Sequence, residues 1–494
     1  MSANSFNVRI AANGRIIAAI DDFSFAHNTI TFLFGESGIG KSMLCKAVYG
    51  LLDPAELSVT VNNMPYQTYL DGEETRKIRQ SSFFVFQEPS SHLNPLMRIA
   101  DQLREGSIDA KESEDEVFSR LWDAPDREKL VDILTVYPKP YRPSGGEKQR
   151  ILLAMAFKKI KRLADGDGPT FFVFDEPTGS LDNNYRNRFL DYLFREFAHR
   201  PFTAMVITHD YSIISELYQR HSGLLDRIHF KELERCGEGK VAMRDFRADD
   251  YLTWLKSGMA RGTAAAAGEP VVRVSPRFRI FGTDHRICCD PARREEAELI
   301  IRPHEMVYVK APSGAGKTTL AKIIMGLYKP EKFSMVLAGM TINETTPRSF
   351  FETRVWGRVA GMVFQHADEA LDGEATVADT MTGLPLGRTL TREDLLQQLE
   401  EVFEGGVTEA FLGRKVKGLS GGQKQRLNLL RTMVLHPALI ILDEPLNGLD
   451  FDSMRKIIAL LGALQKNGAA LLVISHNEEI FDALIDPQCI FYLA

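Results

Sequence analysis

A long internal repeat constrains this sequence of 494 residues more than any other feature. Gly-Ile-Gly-Lys-Ser at 38–42 returns as Gly-Ala-Gly-Lys-Thr at 314–318, and Ser-Gly-Gly-Glu-Lys-Gln-Arg at 144–150 returns as Ser-Gly-Gly-Gln-Lys-Gln-Arg at 420–426. Both motifs recur at the same offset, and Asp-Glu-Pro recurs at a slightly shorter one. Because solenoid repeats span only roughly 20–50 residues, the sequence predicts one whole domain that has been duplicated.

A stretch of small residues marks the boundary between the two copies. The segment 258–270 is rich in alanine and glycine, ends in Gly-Glu-Pro and has no periodic apolar face, which is typical of a linker. We therefore predict a first domain over 1–257, a linker over 258–270 and a second domain over 271–494. Residues 214–257 extend beyond the last repeated motif of the first half, and no pattern in them indicates a role.

Short apolar runs alternate with longer helical patterns in each half, and this alternation predicts the fold. The runs are apolar nearly throughout, as in strands that are covered on both faces of a parallel sheet. They are Thr31–Phe34, Phe171–Phe174 and Thr203–Thr208 in the first half, and Val307–Lys310, Leu439–Leu442 and Ala470–Ser475 in the second. The segments 88–143 and 366–419 are more charged and more helical. We predict two α/β domains, each a mainly parallel sheet core with an inserted α-helical subdomain.

Composition and charge exclude several classes of protein. The formal net charge of -6 argues against a protein that coats nucleic acid, since such proteins carry a basic excess. Five scattered cysteines, without a secretory pattern at the N-terminus, favour reduced thiols over a disulfide framework. No apolar run approaches the ~20 residues of a membrane-spanning helix. We therefore expect the chain to stay on the side of the membrane where it is made.

The repeated glycine-rich segments predict phosphate-binding loops. Each follows an apolar strand and opens a helical pattern, which is the context that G-x-x-x-x-G-K-[ST] requires. The glycines let backbone N–H groups surround the phosphates of a nucleotide, the lysine faces the β- and γ-oxygens, and the hydroxyl can bind Mg²⁺. The residues are Gly35, Glu36, Ser37, Gly38, Ile39, Gly40, Lys41 and Ser42, then Ala311, Pro312, Ser313, Gly314, Ala315, Gly316, Lys317 and Thr318. Ala311 replaces the first glycine, so we expect a strain of about 1 kcal/mol if that position needs a positive φ.

Two acidic pairs, Asp175-Glu176 and Asp443-Glu444, each follow a strongly apolar strand. Ligand sites of α/β sheets lie at the carboxyl ends of strands, so we expect these pairs beside the phosphate loops. The aspartate would hold Mg²⁺, directly or through water, and the glutamate would polarise an attacking water as a general base. We therefore predict Glu176 and Glu444 to be catalytic.

The serine-led motifs at 144–150 and 420–426 are the most specific of these signals. Their serines and glycines can donate to a γ-phosphate from a helix N-terminus. We expect Ser144, Gly145, Gly146, Ser420, Gly421, Gly422 and Gln423 to bind nucleotide. The order of phosphate loop, glutamine, serine motif, Asp-Glu-Pro, Leu-Asp and Thr/Ser-His resembles the ABC ATPase family in both halves. The resemblance covers nearly the whole chain and implies that ATP is bound and hydrolysed with Mg²⁺.

The resemblance also implies roles that spacing alone does not assign. His209 and His476 would be the catalytic switch histidines that contact the γ-phosphate. An aromatic side chain, Phe281 or Phe278, would stack on adenine in the second half, whereas the segment 11–14 offers no aromatic in the first. Leu181-Asp182 and Leu449-Asp450 would form the D-loops. The implied Mg²⁺ ligands are Ser42, Gln87 and Asp175 in the first half and Thr318, Gln365 and Asp443 in the second.

In this family two cassettes pack head to tail, with each ATP between one phosphate loop and the opposite serine motif. The resemblance therefore implies cassette pairing within one chain, and one copy of the chain per transporter. Ser420–Gln423 would complete the Lys41 site, and Ser144–Glu147 would complete the Lys317 site. Glu147 replaces the usual glutamine, and Arg142-Pro143 precede this serine motif. We expect two hydrolytic sites that are unequal.

The segment 86–97, Phe-Gln-Glu-Pro-Ser-Ser-His-Leu-Asn-Pro-Leu-Met, resembles the glutamine-loop segment of ATPases that serve dipeptide, oligopeptide, nickel and glutathione importers, as does Tyr137-Pro138. In that group the segment faces membrane subunits. The implied function is to energise an importer of peptides, nickel or related small solutes. The implied partners are integral membrane permease subunits and an extracytoplasmic solute-binding protein, without nucleic acid.

The implied location is cytoplasmic, peripheral on the inner face of the cell membrane. Two alternatives stay open. One is a soluble tandem ABC ATPase that acts on ribosomes, which the short Ala/Gly-rich linker disfavours because ribosomal members carry a long, charged, helical linker. The other is an accessory cassette of a phosphonate-processing complex.

Overall fold

The computed structural model describes residues 3–94, 96–104, 117–122, 144–163, 169–178, 183–237, 239–259, 268–312, 314–386, 390–403 and 407–494. The chain divides into two compact units, Met1–Tyr251 and Leu252–Ala494. Within the described ranges, no helix combines the length and the apolar character that a membrane crossing requires.

One mixed sheet of ten strands forms the centre of the first unit. The strands are β1 (Ala3–Ala12), β2 (Arg15–Ala26), β3 (Ile30–Gly35), β4 (Ser58–Val61), β5 (Met64–Pro65), β6 (Phe84–Val85), β7 (Phe172–Asp175), β8 (Ala204–Ile207), β9 (Ile228–Gly237) and β10 (Lys240–Asp245). Their spatial order is β5-β4-β1-β2-β10-β9-β3-β8-β7-β6. From β9 to β6 the strands are parallel. Every residue of β3 is buried, as expected for a strand that is covered on both faces.

Two sheets form the second unit. Its strands are β11 (Val272–Val274), β12 (Arg277–Ile280), β13 (Thr283–Cys288), β14 (Leu299–Ile301), β15 (Met306–Lys310), β16 (Ser334–Leu337), β17 (Met340–Asn343), β18 (Ala360–Val363), β19 (Leu439–Asp443), β20 (Ala470–Ile474) and β21 (Ile490–Leu493). The larger sheet has the order β12-β13-β21-β15-β20-β19-β18, and the smaller has the order β14-β11-β16-β17. From β21 to β18 the strands are parallel.

The parallel parts of the two units repeat the same order, with β9-β3-β8-β7-β6 matching β21-β15-β20-β19-β18. All six predicted strands form, with ends that differ by at most one residue. The predicted α/β class with a mainly parallel core in each half is therefore confirmed. Duplication of one domain explains why the motifs recur at nearly constant spacing.

Helices cover the sheets and carry several of the motifs. In the first unit they are α1 (Lys41–Tyr49), α2 (Tyr66–Asp71), α3 (Glu73–Ser81), α4 (Ile99–Arg104), α5 (Gly145–Lys161), α6 (Asn183–His199) and α7 (Ser212–Arg220), and α8 (Ala248–Met259) follows β10. In the second unit they are α9 (Lys317–Ile324), α10 (Arg348–Phe350), α11 (Val377–Thr380), α12 (Arg392–Val402), α13 (Glu409–Leu412), α14 (Gly421–Met433), α15 (Phe451–Lys466) and α16 (Glu478–Leu484).

The inserted helical segment is best seen in the second unit. There α11, α12 and α13 lie between β18 and α14, and Leu395, Leu399 and Val402 of α12 pack in one buried cluster with Leu427 and Leu430 of α14. In the first unit most of 105–143 lies outside the described residues. The predicted helical subdomain is therefore present in the second half and is described only in part in the first.

The extension after the last motif of the first half adds a strand to the sheet. In the second unit β13 pairs directly with β21, through Ile287 and Leu493. In the first unit β10 lies between β2 and β9, and it pairs with β2 through Lys240 and Ala19. Residues 214–257 thus supply a core strand, β9, an additional strand, β10, and part of two helices.

Candidate active sites

Each phosphate loop connects a central strand to a helix that begins at its lysine. The first loop joins β3 to α1, which begins at Lys41, and the second joins β15 to α9, which begins at Lys317. Gly40 and Gly316 precede these lysines with φ of 113° and 97°, a left-handed conformation that residues with a Cβ rarely adopt. Each loop thus ends at a helix N-terminus, where unpaired N–H groups favour a phosphate.

Both lysine side chains turn back into their own loops. Nζ of Lys41 donates to the carbonyl oxygens of Gly35 (2.5 Å) and of the next residue (3.1 Å). Nζ of Lys317 donates to the carbonyl oxygens of Ala311 (2.7 Å) and of the next residue (3.3 Å). Burial lowers the pKa of both lysines, and neighbouring carboxylates oppose this shift. The ammonium groups are therefore placed inside the loops, where they can exchange carbonyl oxygens for phosphate oxygens.

Ala311 does not carry the strain that the sequence predicts for it. At the equivalent position, Gly35 has a φ of +133°, and a Cβ there would lie 2.8 Å from the carbonyl oxygen of Leu233. Ala311 is not among the residues with positive φ. The reason is that β3 stays paired with β9 up to Gly35, whereas β15 ends one residue earlier, at Lys310. The prediction of strain at Ala311 is therefore wrong, because the backbone of the second loop does not require a positive φ there.

A buried aspartate lies beside the hydroxyl that follows each lysine. Ser42 Oγ donates to Asp175 Oδ1 at 2.8 Å, and Thr318 Oγ1 donates to Asp443 Oδ1 at 3.1 Å. Burial raises the pKa of Asp175 to about 6 and also raises that of Asp443, while the hydroxyl bonds oppose the shift. The other oxygen of Asp443, Oδ2, is buried and has no hydrogen-bond partner in the described part of the chain.

These two pairs fit the chemistry of Mg²⁺. The ion prefers oxygen ligands and typically takes one or two from carboxylates, with phosphates and waters in the remaining positions. A carboxylate oxygen without a donor, adjacent to a hydroxyl, supplies such a set. Asp443 and Thr318 therefore suit the predicted role best, and Asp175 and Ser42 repeat their arrangement.

The two predicted glutamine ligands stand apart from these pairs. Gln87 is exposed and Gln365 is half-buried, and no hydrogen bond within the described ranges joins either of them to an aspartate–hydroxyl pair. The residue before each of these glutamines is held by a hydrogen bond. The carbonyl oxygen of Phe86 accepts from Gln149 of α5 at 3.5 Å, and that of Phe364 accepts from Gln425 of α14 at 3.2 Å. The role of Gln87 and Gln365 as Mg²⁺ ligands stays a prediction.

Both predicted catalytic glutamates have a strained backbone. Glu176 has a φ of 46° and Glu444 a φ of 52°, in a region that non-glycine residues seldom occupy. Their N–H groups still donate across the sheet, to Ile207 O at 3.0 Å and to Ile474 O at 2.8 Å. Strain of this kind persists where the surrounding structure enforces it, and it clusters at functional sites. Sequence reasoning did not predict this conformation.

In the first unit the glutamate and the histidine meet through their side chains. Nδ1 of His209 and Oε1 of Glu176 are 2.9 Å apart. The negative charge of Glu176 raises the pKa of His209, although burial and the charge of Lys41 act in the opposite direction. The His209 side chain is 30% exposed. The predicted glutamate and histidine of the first site therefore lie together, and the imidazole of His209 is hydrogen-bonded to the carboxylate of Glu176.

In the second unit the same residue types make different bonds. Oε2 of Glu444 accepts from the backbone N–H of His476 at 3.0 Å and from Ser475 Oγ at 3.2 Å. The His476 ring is farther away, with Nε2 3.5 Å from Oε1 of Glu444, and its side chain is 54% exposed. Burial raises the pKa of Glu444 to about 7. The carboxylate is thus held by the loop rather than by the imidazole.

Both serine motifs begin a helix with the same reciprocal pair of bonds. Ser144 Oγ accepts from the N–H of Glu147 at 3.3 Å, and Glu147 Oε2 accepts from the N–H of Ser144 at 2.7 Å. Ser420 and Gln423 repeat this capping box at 3.2 and 3.1 Å. A carboxylate oxygen and an amide oxygen can both accept this bond, so Glu147 keeps the capping box that Gln423 forms.

Among the described residues, exposed aromatic side chains occur in the second half but not in the first. Phe278 is 1% exposed, which excludes it from stacking on a ligand, whereas Phe281 is 73% exposed at the tip of the β12–β13 hairpin. Asn13 occupies the same place in the β1–β2 hairpin, and both residues have φ near 50°. His285, which sequence reasoning missed, pairs with Phe278 across the hairpin. A Cβ on Gly316 would lie 3.2 Å from the imidazole ring of His285, so this ring lies against the second phosphate loop.

Some predicted elements lie outside the described residues. They are Ser313 of the second phosphate loop, Leu181-Asp182 of the first D-loop, Tyr137-Pro138 and Arg142-Pro143. The second D-loop is described, and its Asp450 caps α15 by accepting from the N–H of Ser453 at 2.7 Å.

Comparison with known proteins identifies the family. The family model for ABC transporters matches residues 20–179 and 295–447, which together exceed half of the chain. The chain belongs to the ABC transporter family. As an ABC protein with two cassettes it binds and hydrolyses ATP, which confirms the resemblance drawn from the motifs.

Relatives of this ABC protein match it over its full length. Glutathione import ATP-binding protein GsiA of Escherichia coli (strain K12) is 24% identical over 538 residues, covering 100% of this chain and 85% of the relative. The protein of the same name from Shigella flexneri gives the same values.

Solved structures with two cassettes share the fold. An RNase-L Inhibitor has a TM-score of 0.61 at 18% identity and covers 98% of this chain and 89% of its own. The archaeal ribosome recycling factor aABCE1, in complex with the stalk protein aP1, gives a TM-score of 0.60 at 18% identity, with coverages of 96% and 87%. At these identities the likeness is one of fold alone.

Proposed function

We propose that this ABC ATPase is the ATP-hydrolysing subunit of an importer and that it works on the inner face of the cell membrane. Its match over the full chain to glutathione import ATP-binding proteins supports import. The proposed cargo is a peptide, nickel or a related small solute. A solute-binding protein and permease subunits would select that cargo, because this chain supplies the energy.

In each unit we assign the chemistry to five side chains. Lys41 or Lys317 neutralises the β- and γ-phosphate oxygens, and the histidine contacts the γ-phosphate. Ser42 with Asp175, or Thr318 with Asp443, would hold Mg²⁺, which offsets phosphate charge when bound. The glutamate accepts a proton from a water molecule as that water attacks the γ-phosphorus. The bond to the bridging oxygen then breaks, and ADP leaves.

We also propose that the two cassettes pair within one chain. The serine motif of one unit would then complete the nucleotide site of the other, as in the family. Two observations support this arrangement. Both motifs begin well-capped helices of at least 13 residues, and both phosphate loops keep their lysine and hydroxyl.

The observation that carries the transport proposal is an exposed apolar side chain beside a cavity on the segment 86–97. Leu96 is 75% exposed, while the ring of His92 packs against Phe83 and Phe86 with centroids 5.2 and 5.0 Å apart. A cavity of about 360 Å³ adjoins the segment and is lined by Asn94 and Met97 together with residues of α4 and α5. A single exposed leucine is ordinary on a protein surface, but Leu96 lies in the segment that resembles the permease-facing segment of importer ATPases. We place a permease contact there because the adjoining cavity can take side chains of a partner.

Replacing Leu96 tests this surface. The full chain, carrying an affinity tag, is used to recover partners from native membranes, with Leu96→Ser as the variant. Met64→Ser is the matched control, because Met64 is 40% exposed on β5 of the same unit. Leu93 is unsuitable, since it is 3% exposed and its replacement would disturb packing.

We expect the unchanged chain and the Met64 variant to recover multi-span membrane proteins and the Leu96 variant to recover much less. Equal recovery of membrane proteins by the Leu96 and Met64 variants would refute the proposal that this surface binds a permease subunit. Ribosomal proteins in place of membrane subunits would refute the transport function and favour a soluble tandem ATPase.

A further inference from the structure

An ion pair in the first unit ties the loop of the switch histidine to the helix that follows the D-loop. Nη1 of Arg186, on α6, donates to Oδ2 of Asp210 at 2.9 Å. Asp210 directly follows His209 in the chain. The two charged side chains are 11% and 24% exposed, so solvent screens their attraction less than it would at an open surface.

The polar groups of Asp210 are otherwise engaged within the loop. Oδ1 accepts from the N–H and the hydroxyl of Ser212 at 3.0 and 2.5 Å, and its own N–H donates to Thr208 Oγ1 at 3.0 Å. Burial alone would raise the pKa of Asp210, but the charge of Arg186 and the bonds from Ser212 lower it. The carboxylate of Asp210 thus holds the chain after His209, and the backbone N–H of Asp210 donates to the residue before His209.

The second unit keeps the turn but lacks the ion pair. Asn477 corresponds to Asp210, because its N–H donates to Ser475 Oγ at 3.1 Å in the same way. Met454 corresponds to Arg186, because each is the fourth residue of its helix, α15 or α6. Met454 is buried, with 1% of its surface exposed. A neutral pair therefore stands where the first unit has two charges.

This difference coincides with the different placement of the two histidines. With the ion pair, the ring of His209 lies 2.9 Å from Glu176. Without it, the His476 ring lies farther from its glutamate, with Nε2 3.5 Å from Oε1 of Glu444, and the ring is more exposed, while Oε2 of Glu444 accepts from the backbone N–H of His476. We infer that Arg186 and Asp210 are positioning residues that orient the loop so that the imidazole of His209 faces Glu176. This inference rests on the roles proposed above for the glutamate and the histidine.

A purely structural role is the competing explanation, since Asp210 also supports the start of α7 through Ser212. The structural role and the positioning role can be distinguished by replacing Arg186 and Asp210 with the corresponding residues of the second unit. Asp210→Asn alone leaves the Arg186 charge without its carboxylate, with only the neutral acceptors Ser212 and Asn187 among the described residues, which is costly at a largely buried position. Arg186→Met combined with Asp210→Asn removes both charges and recreates the neutral pair of the second unit.

The experiment measures Tm, kcat and KM for ATP on the full chain carrying these changes. Met454→Leu combined with Asn477→Ala is the matched control, because it alters the corresponding pair of the second unit, where there is no ion pair to break. Imidazole ¹⁵N signals from labelled histidine, assigned with His209→Gln, report the hydrogen bond of His209 independently of turnover.

We expect Asp210→Asn to lower Tm by about 2–4 °C and the double variant to recover most of that loss. The double variant should nevertheless lose roughly tenfold in kcat, because a misplaced group is costly in the transition state, with KM nearly unchanged. The His209 signal should shift towards that of an exposed imidazole. The control should match the unchanged chain.

Recovery of both Tm and kcat in the double variant, with an unchanged His209 signal, would overturn the inference and leave a structural role. Glu176→Gln combined with Glu444→Gln is measured alongside. If that variant keeps the unchanged rate, the proposed catalytic roles fail and the inference fails with them. If that variant loses turnover while the variant with Arg186→Met and Asp210→Asn does not, the positioning inference alone fails.

Discussion

Replacing Glu176 and Glu444 together by glutamine should abolish nearly all ATP turnover and leave ATP binding intact. Glutamine keeps the length of the side chain and one acceptor oxygen. At Glu444 that oxygen can still accept from Ser475 Oγ and from the N–H of His476, the two bonds made by Oε2. The loop should therefore keep its conformation, while the group that accepts a proton from water is lost.

The expected loss is the contribution of a general base, about 10²–10⁴ in rate. Each factor of ten corresponds to about 1.4 kcal/mol, so the activation barrier should rise by roughly 3–6 kcal/mol. The assay compares steady-state phosphate release with equilibrium ATP binding. Glu234→Gln is the control, because Glu234 forms an exposed ion pair with Arg244 on the same unit. Turnover at the unchanged rate in the double variant would refute the assignment of both glutamates.

Glu176→Gln alone should lower turnover further than Glu444→Gln alone, and equal losses would show that the sites act as one. Gly35→Ala should lower the free energy of unfolding by about 1–3 kcal/mol, because its Cβ would lie 2.8 Å from a carbonyl oxygen; Ala311→Gly, measured in the same denaturant titrations, should cost about 0.4–1 kcal/mol by freeing the unfolded chain. Phe281→Ala should raise the Kd for ATP in the second half only, as judged by titration in chains with Lys41→Ala or Lys317→Ala. Light scattering of the glutamate double variant with ATP should give the mass of one chain, 55.5 kDa, and twice that mass would contradict pairing within the chain.

The sequence predicted those parts of the fold that local patterning determines. Continuous apolar runs such as Phe171–Phe174 and Leu439–Leu442 became buried parallel strands, because a strand covered on both faces needs apolar residues at nearly every position. The acidic pairs that follow these runs lie beside the phosphate loops, as the parallel arrangement of the strands predicts. Parallel strands bring their carboxyl ends to one edge, so motifs distant in sequence meet there.

Features that depend on tertiary pairing were not predictable. Ala311 is unstrained because β15 ends before it, and the end of a strand depends on its neighbour β21 rather than on the residue itself. Leu93 and Leu96 are the same residue type three positions apart, yet Leu93 is buried and Leu96 is 75% exposed. The insertion of β10 between β2 and β9 also depends on pairing partners far apart in the chain.

The expected inequality of the two sites rests on their histidines more than on the departures in their motifs. Ala311 fits its loop without strain, and Glu147 caps its own helix in the way that Gln423 does, so neither departure strains its site. The histidines do differ: the first site places an imidazole 2.9 Å from its glutamate, whereas the second binds its glutamate through the backbone and exposes the ring. Among the described residues, the exposed aromatic side chains are Phe281 and Tyr328, both in the second half, and their ring centroids are 5.6 Å apart. We therefore expect the first site to be better arranged for hydrolysis and the second for holding a nucleotide, and hence a greater loss of turnover from Glu176→Gln.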